Sequence, residues 1–205
     1  MLNHPVEECK KLTGGAYQDE VQHIISYNPR NKFIRNLAVS LGGNTLILYA
    51  YVDKHGAILY DMIGEKAGNR KVFFVHGGVD GEEREAIRAI VEKESDAIIV
   101  ASYGTFSTGI NIKNLHNVIF ASPTKSRVRT MQSVGRGLRI SDTKDSVTLF
   151  DIADNLSING KKNFTLNHLI ERVKMYNSEE FPYELHTIKL RSDNGSGRSL
   201  FSEDE

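Results

Sequence analysis

The sequence predicts an α/β fold in which a parallel β-sheet is flanked by helices. Two observations support this prediction. Short apolar runs rich in β-forming residues recur along the chain, and segments with helical periodicity lie between the first three of them. Strands that alternate with helices form a parallel sheet, because each helix carries the chain back to the edge where the previous strand began. The predicted strands cover residues 45–50, 72–75, 97–101, 118–121 and 147–150.

Helical periodicity also runs from residue 17 to residue 41, where apolar side chains recur every three or four positions. Pro29 interrupts this pattern, because proline lacks the backbone N–H that a helix interior requires. Two helices are therefore predicted before the first strand, and a third at residues 54–65 after it.

A further helix is predicted at residues 82–93, with a well-marked start. Asp80 precedes it and Glu83 follows three residues later, a spacing typical of a capped first turn. Beyond the last predicted strand, the pattern indicates an amphipathic helix at 166–175 and an edge strand at 183–190.

These elements predict four parts of the chain. Residues 1–43 are N-terminal helices that lead into the main α/β domain, and residues 44–155 are that domain. Residues 156–190 form an appended helix and strand. Residues 191–205 are rich in Ser, Gly, Asp and Glu, a composition that predicts a disordered tail.

Charge and cysteine content limit the functional classes. The 26 basic and 26 acidic residues give zero formal net charge, so any contact with nucleic acid must be local. No apolar stretch approaches the roughly 18 residues of a membrane span, and the first residues lack the features of a signal peptide. With a single cysteine, Cys9, the chain is expected to be cytoplasmic.

The most specific segment reads QSVGRGLR at residues 132–139. In a helix, Arg136 and Arg139 share one face with Gln132. Guanidinium groups match phosphate oxygens and can stabilise the charge on a transferring phosphoryl group. Gly135 and Gly137 each destabilise a helix by about 1 kcal/mol relative to alanine. Glycines at these positions therefore indicate a close approach of the backbone to another group. An exposed basic helix face is the alternative.

Three other segments could contact phosphate. Residues 102–109 read SYGTFSTG, a strand-to-helix loop whose backbone N–H groups could cradle a phosphate, although such residues also dominate ordinary turns. The HGG turn around Gly77 offers backbone amides in the same way, or is only a tight turn. Residues 122–129 form a local basic cluster that includes Lys125, which could neutralise phosphates or simply be solvated.

The order of these segments resembles that of superfamily 2 helicases. QSVGRGLR resembles motif VI of that family, residues 102–111 resemble motif V, and residues 45–56 resemble motif IV. The resemblance extends over about residues 17–151. The resemblance is greatest to phage-type branch-migration helicases, and the segments that carry it are YQDEV, RN and VASYGTFSTGINIKNLHNV. It implies a second, RecA-like motor domain of a DNA helicase in the cytoplasm of a phage-infected bacterium.

The resemblance also implies roles for individual residues. Arg136 and Arg139 would be arginine fingers that reach the ATP γ-phosphate, and Gln132 would couple the nucleotide to the interdomain cleft. The residues implied to face the nucleotide are Gly109, Asn111 and Gly135. The residues implied to contact nucleic acid are Ser102, Tyr103, Gly104, Thr105, Lys54, His55, Gly77 and Lys125. Relatives often carry aspartate in place of Asn111, which weakens only its expected ribose contact.

ATP binding by such motors needs a phosphate-binding loop ending in Gly-Lys-Ser/Thr and an acidic strand end that holds Mg²⁺. Neither pattern occurs in this sequence. The chain alone is therefore expected to be inactive. It is expected to share ATP and Mg²⁺ with an N-terminal RecA-like domain that carries both motifs, and to act on branched or single-stranded DNA.

Two alternatives remain at the level of the sequence. One is a stand-alone nucleic-acid-binding module without ATPase activity, which would bind DNA in a salt-sensitive manner with no partner. The other is a dinucleotide-binding enzyme, disfavoured because the Gly-x-Gly-x-x-Gly pattern is missing. The seven histidines are scattered without partners at ligand spacing, so no metal site is predicted.

Overall fold

The computed structural model of the chain describes residues 1–107, 112, 114–123 and 147–192. Its strands, in chain order, are β1 (Leu2–Asn3), β2 (Thr45–Tyr49), β3 (Val72–Val75), β4 (Ile98–Ser102), β5 (Asn117–Phe120), β6 (Thr148–Asp151), β7 (Asp154–Asn155) and β8 (Ile188–Lys189). Its α-helices are α1 (Val6–Lys11), α2 (Tyr17–Ser26), α3 (Asn28–Ser40), α4 (Ala57–Gly64), α5 (Gly81–Val91), α6 (Tyr103–Ser107) and α7 (Phe164–Ser178).

Five of these strands form one sheet in the order β3-β4-β2-β5-β6. Every pairing in it is parallel, with Tyr49 opposite Ser102 and Phe120 opposite Asp151 at the carboxyl end. β2 is the central strand, and all five of its residues are fully buried. The predicted parallel α/β fold is confirmed, and each of the five strands lies within one residue of its predicted bounds.

The two faces of the sheet carry separate cores, because successive strand residues point to opposite faces. Ile47 belongs to a core that also contains Ile34 of α3 and Leu59 of α4. Its neighbour Leu46 belongs to the other core, together with Val91 of α5. Helices therefore cover both faces, and the connecting loops lie at the ends of the strands.

The start of the third predicted helix differs from expectation. Residues 52–56 form one π-helical turn in which Gly56 N donates to Tyr51 O at 2.9 Å, and α4 begins only at Ala57. A Cβ added at Gly56 would lie 2.5 Å from the Tyr49 ring. The glycine thus lets the turn pack directly on the end of β2, a requirement that helical periodicity does not report.

The boundaries of two other helical regions agree with the sequence prediction. α2 ends at Ser26 and α3 begins at Asn28, which confirms the predicted break at Pro29. At α5, Asp80 Oδ1 accepts the Glu83 N–H at 2.8 Å, which confirms the predicted cap.

A second, smaller sheet joins segments that are far apart in sequence. β1 lies between β7 and β8 and pairs in parallel with both. The sequence did not indicate β1 or β7, because two-residue strands carry no readable alternation. The predicted edge strand at 183–190 is reduced to β8, and residues 181–187 before it are exposed.

Helix α7 is attached to α2 by the buried carboxylate of Glu20. Oε1 of Glu20 accepts hydrogen bonds from Asn163 Nδ2 at 2.8 Å and from Thr165 N at 2.7 Å. Its Oε2 accepts from Phe164 N at 2.9 Å. A negative charge at a helix N-terminus is favourable because it meets unpaired N–H donors. Glu20 therefore acts as an N-terminal cap supplied by another helix.

We expect Glu20→Ala to lower the free energy of unfolding by roughly 2 kcal/mol, because three hydrogen bonds to a charged acceptor are lost and buried donors are left unpaired. Glu171→Ala is the control, since Glu171 lies on α7 but is exposed and forms an exposed pair with Lys174. It should change stability by less than about 0.5 kcal/mol. Urea denaturation measures both, and equal losses would contradict the capping role.

The same helix also binds the carboxyl end of β6. Arg172 donates two hydrogen bonds to Asp151, from Nε to Oδ2 at 2.6 Å and from an NH2 group to Oδ1 at 3.0 Å. Tyr176 donates its hydroxyl to Oδ2 at 2.8 Å. The carboxylate that ends β6 is therefore neutralised by α7.

A buried ion pair ties α3 to the small sheet. Arg30 Nε donates to both carboxylate oxygens of Asp154, at 2.8 and 3.0 Å, and His4 Nε2 lies 2.9 Å from Oδ1. Arg30 has no exposed surface and Asp154 almost none. Burial alone would raise the pKa of Asp154, but Arg30 and His4 outweigh it and hold the pKa below its ordinary range.

Candidate nucleic-acid interface

The carboxyl edge of the main sheet collects several of the segments singled out from the sequence. Because the strands are parallel, β2, β3, β4 and β5 all end there. β2 leads into the π-helical turn with Lys54 and His55, β3 into the turn with Gly77, and β4 into residues 102–105. Segments far apart along the chain thus share one edge, as expected for a ligand-binding edge of a parallel sheet.

Residues 102–105 form a compact turn at the end of β4. Ser102 Oγ lies 2.7 Å from Thr105 Oγ1 and accepts the Thr105 N–H at 3.2 Å, so the serine closes the first turn of α6. Thr105 is buried, Ser102 and Tyr103 are half-buried, and Gly104 is exposed. A Cβ at Gly104 would meet nothing within 4 Å. Ser102, Tyr103 and Gly104 are therefore the accessible positions of this turn, and Gly104 is the most exposed of them.

The π-helical turn separates its two predicted contact residues. Lys54 is exposed, whereas His55 is fully buried. His55 Nδ1 lies 2.7 Å from Ser122 Oγ, and Nε2 lies 3.2 Å from Asn31 Oδ1. His55 has no exposed surface in this conformation, so its side chain does not reach the surface of the turn, and its contact with nucleic acid stays a prediction. Lys54 stays a candidate.

Burial sets the charge of His55. Desolvation, with a smaller contribution from the nearby positive charge of Arg30, lowers the pKa of His55 to about 3. The imidazole is therefore neutral throughout the physiological range of pH. A neutral imidazole has one donor and one acceptor nitrogen, which fits its two different partners.

This burial predicts a pH-dependent stability. In the unfolded chain, His55 binds a proton as the pH falls below its ordinary pKa of about 6.5. In the folded chain, His55 stays neutral down to about pH 3. Neutral, buried His55 thus stabilises the folded chain fully above about pH 6.5. As the pH falls below that value, the free energy of unfolding decreases by at most about 1.4 kcal/mol per pH unit. Urea denaturation at pH 7, 6 and 5 measures this slope.

His55→Gln should reduce that slope, whereas His186→Gln, at an exposed histidine, should leave it unchanged. Burial also lowers the pKa of His23, which adds a slope of the same sign. A His55→Gln slope equal to that of the wild-type chain would contradict the neutral, buried state of His55.

In the turn around Gly77, backbone N–H groups are hydrogen-bonded within the turn itself. Gly78 N donates to His76 Nδ1 at 3.1 Å, and Val79 N donates to His76 O at 3.1 Å. The following helix α5 already has the Asp80 carboxylate at its N-terminus and two glutamates in its first turn. These negative charges oppose a phosphate there, so the tight-turn interpretation accounts for Gly77 better than phosphate binding.

The remaining predicted site residues lie outside the described part of the chain. They are Gln132, Gly135, Arg136, Arg139, Gly109, Asn111 and Lys125. Their roles stay predictions.

Sequence reasoning missed the residues that hold the edge together. Ser122 is fully buried and contacts Ala50 just after β2, Tyr103 at the start of α6, and His55. Asn31, on α3, pairs with His55 from the other side. The sequence had included Ser122 in the basic segment 122–129, and an RN pair, which occurs at 30–31 and again at 35–36, in the resemblance, but neither pattern indicated a contact with His55. Among the described residues, no helix is both long and apolar enough to cross a membrane.

A parallel sheet with helices on both faces, and with motif-bearing loops at its carboxyl edge, defines a RecA-like helicase C-terminal domain. Comparison with known proteins agrees. The helicase conserved C-terminal domain family matches residues 28–141, more than half of the chain. The chain belongs to this family.

Individual relatives extend the match beyond the family domain. The chain is 38% identical over 202 residues to the ATP-dependent DNA helicase uvsW of Enterobacteria phage T4, a match that covers 92% of this chain and 40% of that protein. The chain thus spans about two fifths of the length of this relative.

The crystal structure of T4 UvsW superimposes with a TM-score of 0.81 at 36% identity, covering 93% of this chain and 40% of that one. The C-terminal domain of the DEAD-box protein Dbp5 shares the fold, with a TM-score of 0.55 at 16% identity, covering 80% of this chain and 84% of that one.

Proposed function

We propose that this chain is the C-terminal motor half of an ATP-dependent DNA helicase or translocase that acts on branched DNA in recombination, repair or replication restart. The observation that supports this most is the shared carboxyl edge, which brings Lys54 and residues 102–105 together on a chain related to an ATP-dependent DNA helicase. The proposed setting is the cytoplasm of a phage-infected bacterium.

In this proposal ATP and Mg²⁺ lie between this chain and an N-terminal RecA-like domain that carries the phosphate-binding loop. Arg136 and Arg139 reach the γ-phosphate, and Gln132 links the nucleotide to the cleft. Gly109, Asn111 and Gly135 face the nucleotide. Closing and opening of the cleft then moves the DNA-contacting edge, because closure completes the ATPase site.

DNA contact is assigned to the accessible groups of the edge. The Ser102 hydroxyl, the backbone at Gly104 and the exposed ammonium group of Lys54 can each meet a backbone phosphate. Such contacts position nucleic acid without selecting a sequence. Lys125 is proposed to add a further phosphate contact.

The first experiment measures ATP hydrolysis with branched DNA, for this chain alone and for its mixture with an N-terminal motor domain of a relative. We expect hydrolysis only in the mixture, and stimulation by DNA. A mixture that forms a complex yet stays inactive, while this chain binds DNA alone, would favour the stand-alone binding module instead.

A second measurement tests the DNA-contacting edge. Lys54→Ala should weaken the binding of DNA of any sequence. It should also reduce the slope of log K against log[salt] by about one, the amount expected for the loss of one phosphate contact. Lys66→Ala is the matched control, because Lys66 is also exposed but follows α4 at the opposite edge of the sheet. Equal effects of both substitutions would show that Lys54 has no specific place on the DNA track.

A further inference from the structure

Two residues proposed to contact DNA are each followed in the sequence by a residue whose side chain reaches the same serine. Lys54 precedes His55, and His55 Nδ1 lies 2.7 Å from Ser122 Oγ. Ser102 precedes Tyr103, and the Tyr103 hydroxyl donates to the Ser122 carbonyl at 3.2 Å. Ser122 therefore contacts both DNA-facing turns, and all of these residues lie in the described part of the chain.

Ser122 lies where three neighbouring strands end. β2 runs between β4 and β5, and its last residue, Tyr49, is opposite Ser102 at the end of β4. The π-helical turn and α6 thus begin side by side. Ser122 follows β5 by two residues, is fully buried, and its Oγ accepts the Ala50 N–H at 3.1 Å just before the π-helical turn. One serine therefore bridges the segments that follow β2, β4 and β5.

The hydrogen bonds around His55 have a single consistent direction. Asn31 Nδ2 donates to Ile25 O at 2.9 Å, so Asn31 Oδ1 faces His55 and accepts from Nε2–H. His55 Nδ1 is then the acceptor, and the Ser122 hydroxyl donates to it. Ser122 Oγ in turn accepts the Ala50 N–H. A neutral imidazole with its proton on Nε2 satisfies each of these bonds.

The network fixes the π-helical turn on both sides of Lys54. Ala50 precedes Lys54 and His55 follows it, and both are hydrogen-bonded to the Ser122 hydroxyl. Without that hydroxyl, two buried polar groups lose a partner, and the turn gains free energy by moving to satisfy them. Ser102 is held separately, because its Oγ accepts the Thr105 N–H within α6. A shift of one turn therefore changes the spacing between Lys54 and Ser102.

We propose that Ser122 is a positioning residue that fixes the spacing of Lys54 and Ser102, so that both turns meet the DNA backbone at the same time. The inference rests on the proposed function, because it assumes that these two residues contact DNA. Phosphates follow one another at a fixed spacing along a strand, so two contacts reinforce each other only when the protein holds them at a matching distance before binding.

The test measures the Kd for a fluorescein-labelled forked DNA by anisotropy, for the full chain in complex with an N-terminal motor domain. Ser122→Ala is expected to weaken binding about fivefold, close to the loss of one exposed ionic contact. Tyr103→Phe keeps the ring that packs on Phe120 and removes the hydroxyl bonded to Ser122. It should weaken binding about twofold, and it tests the proposal even if Ser122→Ala does not fold.

A double-mutant cycle gives a readout that a purely structural role would not change. Lys54→Ala should weaken binding about fivefold in the wild-type chain but less than about twofold in the Ser122→Ala background, because a misplaced lysine has little contact left to lose. If Ser122→Ala does not fold, the same cycle is run with Tyr103→Phe, where Lys54→Ala should again have the smaller effect.

The matched control is Thr45→Val, which removes another fully buried hydroxyl from β2, at the amino end of the strand. It should lower stability but leave the Kd within about twofold of the wild-type value, because it lies at the end of the sheet away from the DNA-facing turns. ¹⁵N NMR of the wild-type chain should show His55 neutral and protonated at Nε2.

The outcomes separate the two proposals. If Lys54→Ala weakens binding but its effect multiplies with that of Ser122→Ala, or if Ser122→Ala matches Thr45→Val, the positioning role is overturned and the proposed function survives. If Lys54→Ala and Ser102→Ala both leave binding unchanged, the proposed DNA-contacting edge fails and the positioning role fails with it. An imidazole of His55 that is charged or protonated at Nδ1 would overturn the network itself.

Discussion

Arg136→Ala is expected to lower kcat for ATP hydrolysis by the complete motor about 10³-fold or more, with little change in the KM for ATP. An arginine finger stabilises charge that develops as the γ-phosphoryl group is transferred, and fingers in related chemistry contribute 10³–10⁵-fold. Uniform binding of ATP depends on other groups, so the loss should fall on kcat. Arg139→Ala should act in the same direction.

Arg136→Lys distinguishes a finger from a diffuse positive charge. Lysine keeps the charge but lacks the planar fork that matches phosphate oxygens, so most of the loss should remain. Arg88→Ala is the control, because Arg88 pairs with Glu85 of its own helix α5 and with Glu92 directly after that helix. Full activity of Arg136→Lys, or an equal loss with Arg88→Ala, would argue against the finger role.

The main sheet could be predicted because parallel strands are buried on both faces. Such strands appear in the sequence as continuous apolar runs, and the central strand, residues 45–49, is entirely buried. The cap at Asp80 and the break at Pro29 were predictable for a similar reason, since each depends on residues close in sequence.

The small sheet could not be predicted in the same way. Its strands are two residues long, and Leu2 pairs with Asp154 and Ile188, contacts that leave no local pattern. The same holds for Glu20, which caps a helix that begins 144 residues later. Long-range polar contacts of this kind depend on the assembled fold.

At the candidate site, the sequence pattern identifies a segment but does not tell which of its side chains are exposed. Lys54 and His55 are adjacent and both can contact phosphate, yet one is exposed and the other is in the interior. Their separation depends on the π-helical turn and on Gly56 against the Tyr49 ring. A motif identifies the segment that approaches a ligand, whereas the side chains that face it depend on how the turn packs.

Arg30→Met is expected to lower the free energy of unfolding by about 3–5 kcal/mol, the largest stability loss we predict. Arg30 and Asp154 are both buried, and removal of the arginine leaves the carboxylate with His4 as its only side-chain partner among the residues that the structure describes. An unpaired buried charge costs far more than the net gain of the original pair. Urea denaturation at pH 7 measures the loss.

Lys71→Met is the matched control, because the Lys71–Glu94 pair is largely exposed and should contribute less than about 1 kcal/mol. Arg30→Met combined with Asp154→Leu should recover part of the stability, since both charges are then removed from the interior. Without Arg30, burial raises the pKa of Asp154, so the deficit of Arg30→Met should shrink as the pH falls and the carboxyl group becomes neutral. A deficit that is constant with pH, or a double variant less stable than Arg30→Met, would mean that the loss comes from packing of the long arginine side chain and not from its charge.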